Sequence, residues 1–293
     1  MQTQAALLES LLKSDHLYIG IPKESSFQEN RVALTPDSVS LLVNNGHRVT
    51  VETKAGHSSN FRDLDYTEAG ADIAYDIKKV FEANMILKIA PLTDKELELL
   101  KIGQTVFSTI HLPKLESAYL EKLMQKKVTA IAYEYIRDEA NTFPIVRALS
   151  ELAGSTAVLI AAEYLSTSSR GQGILLGGIS GVPPTKVVIL GAGVVGEYAA
   201  KTCLGLGADI RVYDNNTYKL MRLQNNVGHR VYTSIITPKQ LARELSTADV
   251  AIGAIHSESG RTPVIVSQEM VANMKDGAVI VDVSIDQGGC FAT

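Results

Sequence analysis

Short apolar runs alternate with helix-length amphipathic stretches through most of the chain. In the first half, Tyr18–Ile21, Arg48–Glu52, Met85–Ile89, Thr105–Ile110 and Thr129–Tyr133 have the composition and length of strands. Between them, Pro36–Asn45 reads as a helix opened by Thr35 as N-cap with Pro36 at its first position, and Asp94–Leu100 as a second. This alternation predicts a parallel α/β layer over residues 1–142. Residues 143–165 carry apolar and small residues at helical spacing around an internal Gly154, and predict a helix connecting two domains. The stretch STSSRGQGILLGGISGVPPTK then breaks regular structure at the domain boundary. A second domain over 143–293 runs strand, helix, strand from Lys186, with further strands at Val231–Ile235, Val250–Ala254 and Ala278–Val283. The opening MQTQAALLESLLKSD reads as a short amphipathic surface helix.

Composition narrows the class. A chain of 293 residues with 45% hydrophobic content can pack two cores. Its longest apolar runs are cut by charge: Val158–Ala162 meets Glu163, and Ala278–Val281 meets Asp282. None approaches the roughly 20 residues of a membrane span, so no membrane is expected. No basic residue precedes Lys13, so the start lacks the mark of a secretory signal, and a cytoplasmic protein is expected. The net charge of −4 with interspersed signs offers no basic footprint for nucleic acid. Cys203 and Cys290 have neither metal-ligand nor disulfide-framework spacing, so reduced thiols and no metal site are expected.

The most specific segment is 187–214, VVILGAGVVGEYAAKTCLGLGADIRVYD. An apolar strand ends at Gly191, Gly193 and Gly196, a helix follows at once, and a second strand closes on Asp214. In the Rossmann pattern the first glycine permits the tight turn, the second lets backbone approach a pyrophosphate, and the third lets helix pack on strand. The helix N-terminus supplies free N–H groups for the phosphates. A carboxylate at Asp214 accepts hydrogen bonds from ribose hydroxyls and repels a 2′-phosphate, which selects NAD over NADP. A lone glycine triplet also makes ordinary turns; here its strand, helix and acid fall in their required order. The expected architecture is two Rossmann-like domains, each a parallel sheet flanked by helices, with substrate in an interdomain cleft.

The segments GIPKE, NRVALTP, AGHSSNF, the pair at His111 and Leu112, ALSELAG, RGQGILLGGISGVPP, GAGVVG and VDVSIDQGGCF together resemble the alanine dehydrogenase family over nearly the whole chain. The resemblance implies an NAD-dependent, reversible oxidative deamination of L-alanine to pyruvate and ammonia in a homo-oligomer, usually a hexamer. Nucleotide-binding subunits of proton-translocating transhydrogenases share much of this pattern, and His111 is the residue that discriminates. A non-catalytic NAD-binding homologue is the third reading.

Three residues then carry the implied chemistry. Arg31 offers a planar fork matching a carboxylate; residues alone favour a surface arginine packing over Phe27, and the resemblance makes it the substrate-carboxylate anchor. His111 ends the apolar strand TVFSTI, where ligand-facing groups lie in a parallel sheet, and imidazole exchanges protons near neutral pH; a structural histidine is the plainer alternative. The resemblance makes it the acid/base at the substrate carbonyl. Asp286 precedes Gly288–Gly289 and reads either as a helix-capping acid or, by resemblance, as a second catalytic group. Cofactor contacts implied by the family fall on Ser150, Val194, Val195, Asp214, Lys219, Ile255, His256, Val283 and Asp286.

Two departures stand out. A family lysine that contacts the substrate carboxylate aligns with Ala90 in MILKIAP. Lys88 shares its strand face roughly 6.6 Å away, so Lys88 is expected to substitute as the carboxylate partner. The family also continues beyond DQGG with a stretch that completes the first domain, whereas this sequence stops at Thr293; an exposed apolar surface on the first domain is the expected consequence, with activity in question.

Overall fold

The computed structural model describes residues 16–26, 28–111, 115–139, 142–256 and 261–293. The expected N-terminal helix and the packing of Arg31 over Phe27 lie outside them. The chain forms two compact units that divide between Ile136 and Arg137.

The first unit holds a six-stranded parallel sheet in the order β3-β2-β1-β4-β5-β6. Its strands are β1 Tyr18–Ile21, β2 Arg48–Glu52, β3 Asp72–Ala74, β4 Met85–Leu87, β5 Thr105–Ser108 and β6 Thr129–Ala132. The order reverses between β1 and β4, the position where a doubly wound sheet opens a crevice beyond its carboxyl ends. Apolar side chains cover both faces. Ile19, Ile21, Val49 and Val51 pack with Val39 and Tyr66, while Ile86 and Val106 pack with Val80, Phe81 and Leu97. Helix Pro36–Asn44 starts where the sequence places it, with the Thr35 hydroxyl accepting from Ser38 N. β3 is an edge strand of three residues that carries too little periodicity to be read in advance.

The second unit holds a five-stranded parallel sheet in the order β11-β10-β7-β8-β9. These are β7 Lys186–Leu190, β8 Asp209–Tyr213, β9 Tyr232–Ser234, β10 Val250–Gly253 and β11 Val279–Asp282, with the reversal between β7 and β10. Val187 and Ile189 face one core layer, Val188 and Leu190 the other. Burial on both faces explains why β7 is a continuous apolar run.

The long helix, Pro144–Leu165, belongs to the second unit and packs Gly154, Ala157, Val158, Ala161 and Leu165 inward. By length and composition alone it could cross a membrane, which departs from the sequence expectation that no run approaches a span; Ala157, Val158, Ala161 and Leu165 pack into the core, and 22% of its most apolar stretch is buried. Gly154 is required by close approach: a Cβ there would lie 2.3 Å from the Val195 carbonyl oxygen, on the helix that follows the glycine turn.

Candidate active site

In the second unit, the glycine turn joins β7 to helix Val194–Gly205. Gly191 adopts φ +108, and a Cβ there would meet the Ala254 carbonyl oxygen at 2.3 Å, across the strand-order reversal. A Cβ on Gly196 would lie 1.9 Å from the Gly191 carbonyl oxygen, so helix and strand approach as closely as backbone allows. Gly193 differs: a Cβ would meet nothing within 4 Å. The turn thus presents open space in front of a helix N-terminus whose first N–H groups lack intrahelical partners, the arrangement a pyrophosphate requires.

Asp214 follows β8 and steadies this turn. Its Oδ2 accepts from Ala192 N at 2.7 Å and its Oδ1 from Asn216 N at 2.7 Å, while the Ala192 carbonyl accepts from Arg222 Nη2 at 3.0 Å. Each carboxylate oxygen retains acceptor capacity for a ribose hydroxyl. The residues therefore fit a dinucleotide. Lys219 lies in the first turn of helix Thr217–Val227, its N–H capped by Asn216 and its side chain exposed.

The other expected cofactor residues occupy the same unit. Ser150 donates to the Val146 carbonyl at 3.1 Å within the long helix. Ile255 and His256 follow β10, and the exposed His256 ring stands edge-on to Phe143 at 6.4 Å between centroids. Val283 follows β11 and packs partly buried against the core. Asp286 lies four residues beyond the end of β11. It sits on the 3₁₀ turn Ile285–Gln287, exposed and without a hydrogen bond among the described residues, before Gly288 at φ +105.

The first unit assembles its polar groups at the carboxyl ends of β1, β4, β5 and β6. The Ile89 carbonyl accepts three donors: Thr109 N at 3.1 Å, the Thr109 hydroxyl at 2.6 Å and the Tyr133 hydroxyl at 2.9 Å. Tyr133 also stacks on Phe107 at 5.7 Å, and burial pushes its phenol up to about 12. Glu24, three residues past β1, accepts from Ile89 N at 2.6 Å, which ties the two strands of the reversal together.

Arg31 is half-exposed and pairs side-on with Glu29, Nε to Oε1 at 2.8 Å and Nη2 to Oε2 at 2.6 Å. These bonds hold the Glu29 carboxyl below the usual carboxylate range despite partial burial. They fix the guanidinium plane by one edge and leave the Nη1–Nη2 fork for a second carboxylate.

His111 follows β5 in the left-handed region, φ +50, a conformation that costs a non-glycine residue roughly 1–2 kcal/mol. Its N–H and that of Ile110 both donate to Glu134 Oε1, at 2.9 and 2.8 Å. Its ring is exposed.

Lys88 corrects the sequence reading. The strand ends at Leu87, and the Lys88 side chain is fully buried, with Nζ 2.7 Å from Glu96 Oε1 and 3.5 Å from Glu24 Oε2. An ammonium spent on two internal carboxylates is not presented to a substrate. Glu24, Glu29 and Glu134 were not singled out from sequence. The available signal was position: each is an acid in a turn beyond a strand of a parallel sheet, or two residues before the candidate arginine.

A doubly wound unit carrying a three-glycine turn, in one chain with a second doubly wound unit that carries Arg31 in the loop after β1 and His111 after β5, defines a dinucleotide-binding α/β protein. Residues 20–153 match the model of the alanine dehydrogenase/PNT N-terminal domain and residues 157–293 that of its C-terminal domain. Alanine dehydrogenase of Bacillus subtilis (strain 168) is 44% identical over 277 residues, covering 94% of this chain and 73% of that protein. Alanine dehydrogenase 2 of Staphylococcus aureus (strain USA300) is 41% identical over 275 residues, covering 94% and 74%. Among solved structures, an L-alanine dehydrogenase superposes with a TM-score of 0.89 at 39% identity, covering 94% of this chain and 76% of that one. A transhydrogenase from Sinorhizobium meliloti superposes at 0.81 with 25% identity, covering 94% and 80%. The chain belongs to the alanine dehydrogenase/PNT family.

Proposed function

We propose that this chain is an NAD-dependent oxidoreductase that interconverts L-alanine with pyruvate and ammonia. The observation that carries the reading is 44% identity to an alanine dehydrogenase across 94% of the chain, supported by Arg31 in the loop after β1 and His111 after β5. NAD, when bound, supplies the two-electron acceptor or donor. Gly191, Gly193, Val194, Val195 and Gly196 hold its pyrophosphate, and Asp214 with Lys219 its adenosine side. Ser150, Ile255, His256, Val283 and Asp286 line the remainder of its groove.

Arg31 binds the substrate carboxylate through its free fork, which orients the 2-oxo acid. His111 donates a proton to the carbonyl oxygen as ammonia adds and recovers one in the reverse direction. Asp286 assists proton movement at the nitrogen or at water. Lys88 stays an internal counter-ion, so Arg31 alone among these residues carries the charge that meets the carboxylate.

Ammonia-dependent oxidation of NADH with pyruvate tests this reading. Turnover that vanishes in His111→Ala is expected; NADH binding without ammonia-dependent turnover in the parent protein overturns it and favours a transhydrogenase-like or non-catalytic role. We further propose a homo-oligomer in the cytoplasm; the exposed Leu152, Leu159 and Tyr164 on the long helix support the association. A monomeric mass by light scattering would refute the oligomer.

A further inference from the structure

We infer that Glu134 is a positioning residue for the reaction, acting through the backbone of His111. The inference rests on the function proposed above and concerns how its acid/base is held.

The parallel register of β5 and β6 pairs Ser108 with Ala132. Two residues further along each chain, that register brings Glu134 beside Ile110 and His111. Beyond the paired residues the sheet ladder ends, so the N–H groups of Ile110 and His111 need another acceptor. Glu134 Oε1 takes both, at 2.8 and 2.9 Å. A carboxylate makes these charge-assisted bonds.

The placement is specific in three respects. His111 is left-handed at φ +50, a conformation that a residue with a β-carbon adopts at a cost, so fixed backbone partners matter there. The 3₁₀ turn Tyr133–Tyr135 that carries Glu134 is itself anchored, since Tyr133 is buried, stacks on Phe107 and donates to Ile89. Glu134 Oε2 is buried without a hydrogen-bond partner among the described residues. A desolvated carboxylate with one oxygen unfilled is costly, so the acid is not sited for its own solvation. What it does at this point is clamp two consecutive amides and thereby aim the imidazole.

The test compares Glu134→Ala and Glu134→Gln with the parent protein in ammonia-dependent NADH oxidation, alongside NADH affinity by calorimetry. Loss of the clamp in Glu134→Ala is expected to lower kcat about 100-fold, the effect of misplacing a reacting group by about an ångström. NADH affinity, a property of the second unit, should not change. Glu134→Gln keeps an acceptor oxygen and should fall within about tenfold of the parent, the difference between a charged and a neutral acceptor. A parent protein without ammonia-dependent turnover defeats the proposed function; an active parent with an equally active Glu134→Ala defeats only the role of Glu134. A loss of turnover in Glu134→Gln as large as in Glu134→Ala also overturns the clamp, because it would assign the effect to the charge alone. Selective ¹⁵N-histidine spectra supply a readout independent of turnover: the His111 amide signal should shift in Glu134→Ala more than any other histidine amide, and an unmoved signal refutes the contact.

Discussion

Replacing Lys88 by methionine separates a structural charge from a substrate ligand. The Lys88 ammonium is fully buried, 2.7 Å from Glu96 and 3.5 Å from Glu24. Methionine keeps the volume and removes the charge, leaving two carboxylates without their counter-ion. Breaking a buried pair from one side costs about 3–5 kcal/mol. For a unit of this size that lowers the melting temperature by about 10–20 °C. The deficit should depend on pH in a definite sense. Burial raises the Glu24 carboxyl above its ordinary 4.5, with Lys88 the largest opposing influence. A raised acid favours the fold while protonated, and that contribution fades as pH climbs through the folded value. Without Lys88 the fading is steeper, so the variant should be much weaker than the parent near about pH 8 and recover part of the difference near about pH 5. Urea denaturation followed by circular dichroism at both pH values measures this. Stability unchanged to within about 1 kcal/mol, together with a raised KM for pyruvate, would refute the internal ion pair and restore Lys88 as a carboxylate ligand.

Other substitutions probe each half separately. Gly196→Ala, whose methyl would sit 1.9 Å from the Gly191 carbonyl, should unfold or displace the turn and abolish NADH binding by calorimetry. Gly193→Ala meets no protein atom within 4 Å and should change stability by less than about 1 kcal/mol while still weakening NADH binding, because the methyl occupies the phosphate's space. Arg31→Lys loses the planar fork and should raise KM for pyruvate about 10- to 100-fold in initial-rate assays, with NADH affinity unaltered. Asp214→Ala frees the Ala192 amide and removes the ribose acceptor, so the ratio of NADH to NADPH affinity should fall.

Much of this organisation is legible in the chain because strand and glycine signals are local. β1 and β2 match their apolar runs residue for residue, and Thr35 caps its helix as its hydroxyl requires. The strand ends are where the reading overshoots. Met85–Ile89 was expected and Met85–Leu87 is observed; Thr105–Ile110 was expected and Thr105–Ser108 is observed. In each case the apolar run continues after the backbone has left the ladder. The Ile89 N–H goes to Glu24, and the Ile110 N–H goes to Glu134. Periodicity registers burial, and those residues are buried or half-buried although they belong to the site rather than to the sheet. Lys88 misleads for the same reason. Strand spacing aligned it with Ala90, but its partners lie eight residues ahead and far behind in sequence, at Glu96 and Glu24. Pairings at such separations become visible only once the order β2-β1-β4-β5 brings the turns together.

Both units reverse strand order beside their first strand, yet they load that position with opposite chemistry. The second unit clears side chains away: Gly191, Gly193 and Gly196 leave backbone N–H groups as the recognition element, and Asp214 braces them from the neighbouring strand. Backbone donors do not titrate, so binding there should vary little with pH. The first unit crowds the same position with ionisable side chains, and burial raises Glu24, Glu52 and Tyr133 above their ordinary values. A site built that way answers to pH through its supports. The division follows from the two tasks. A dinucleotide phosphate is an anion at every working pH and is met by fixed dipoles, whereas the proposed carbonyl chemistry needs a proton donor, and the backbone that carries the His111 imidazole is held by a side-chain acceptor, Glu134.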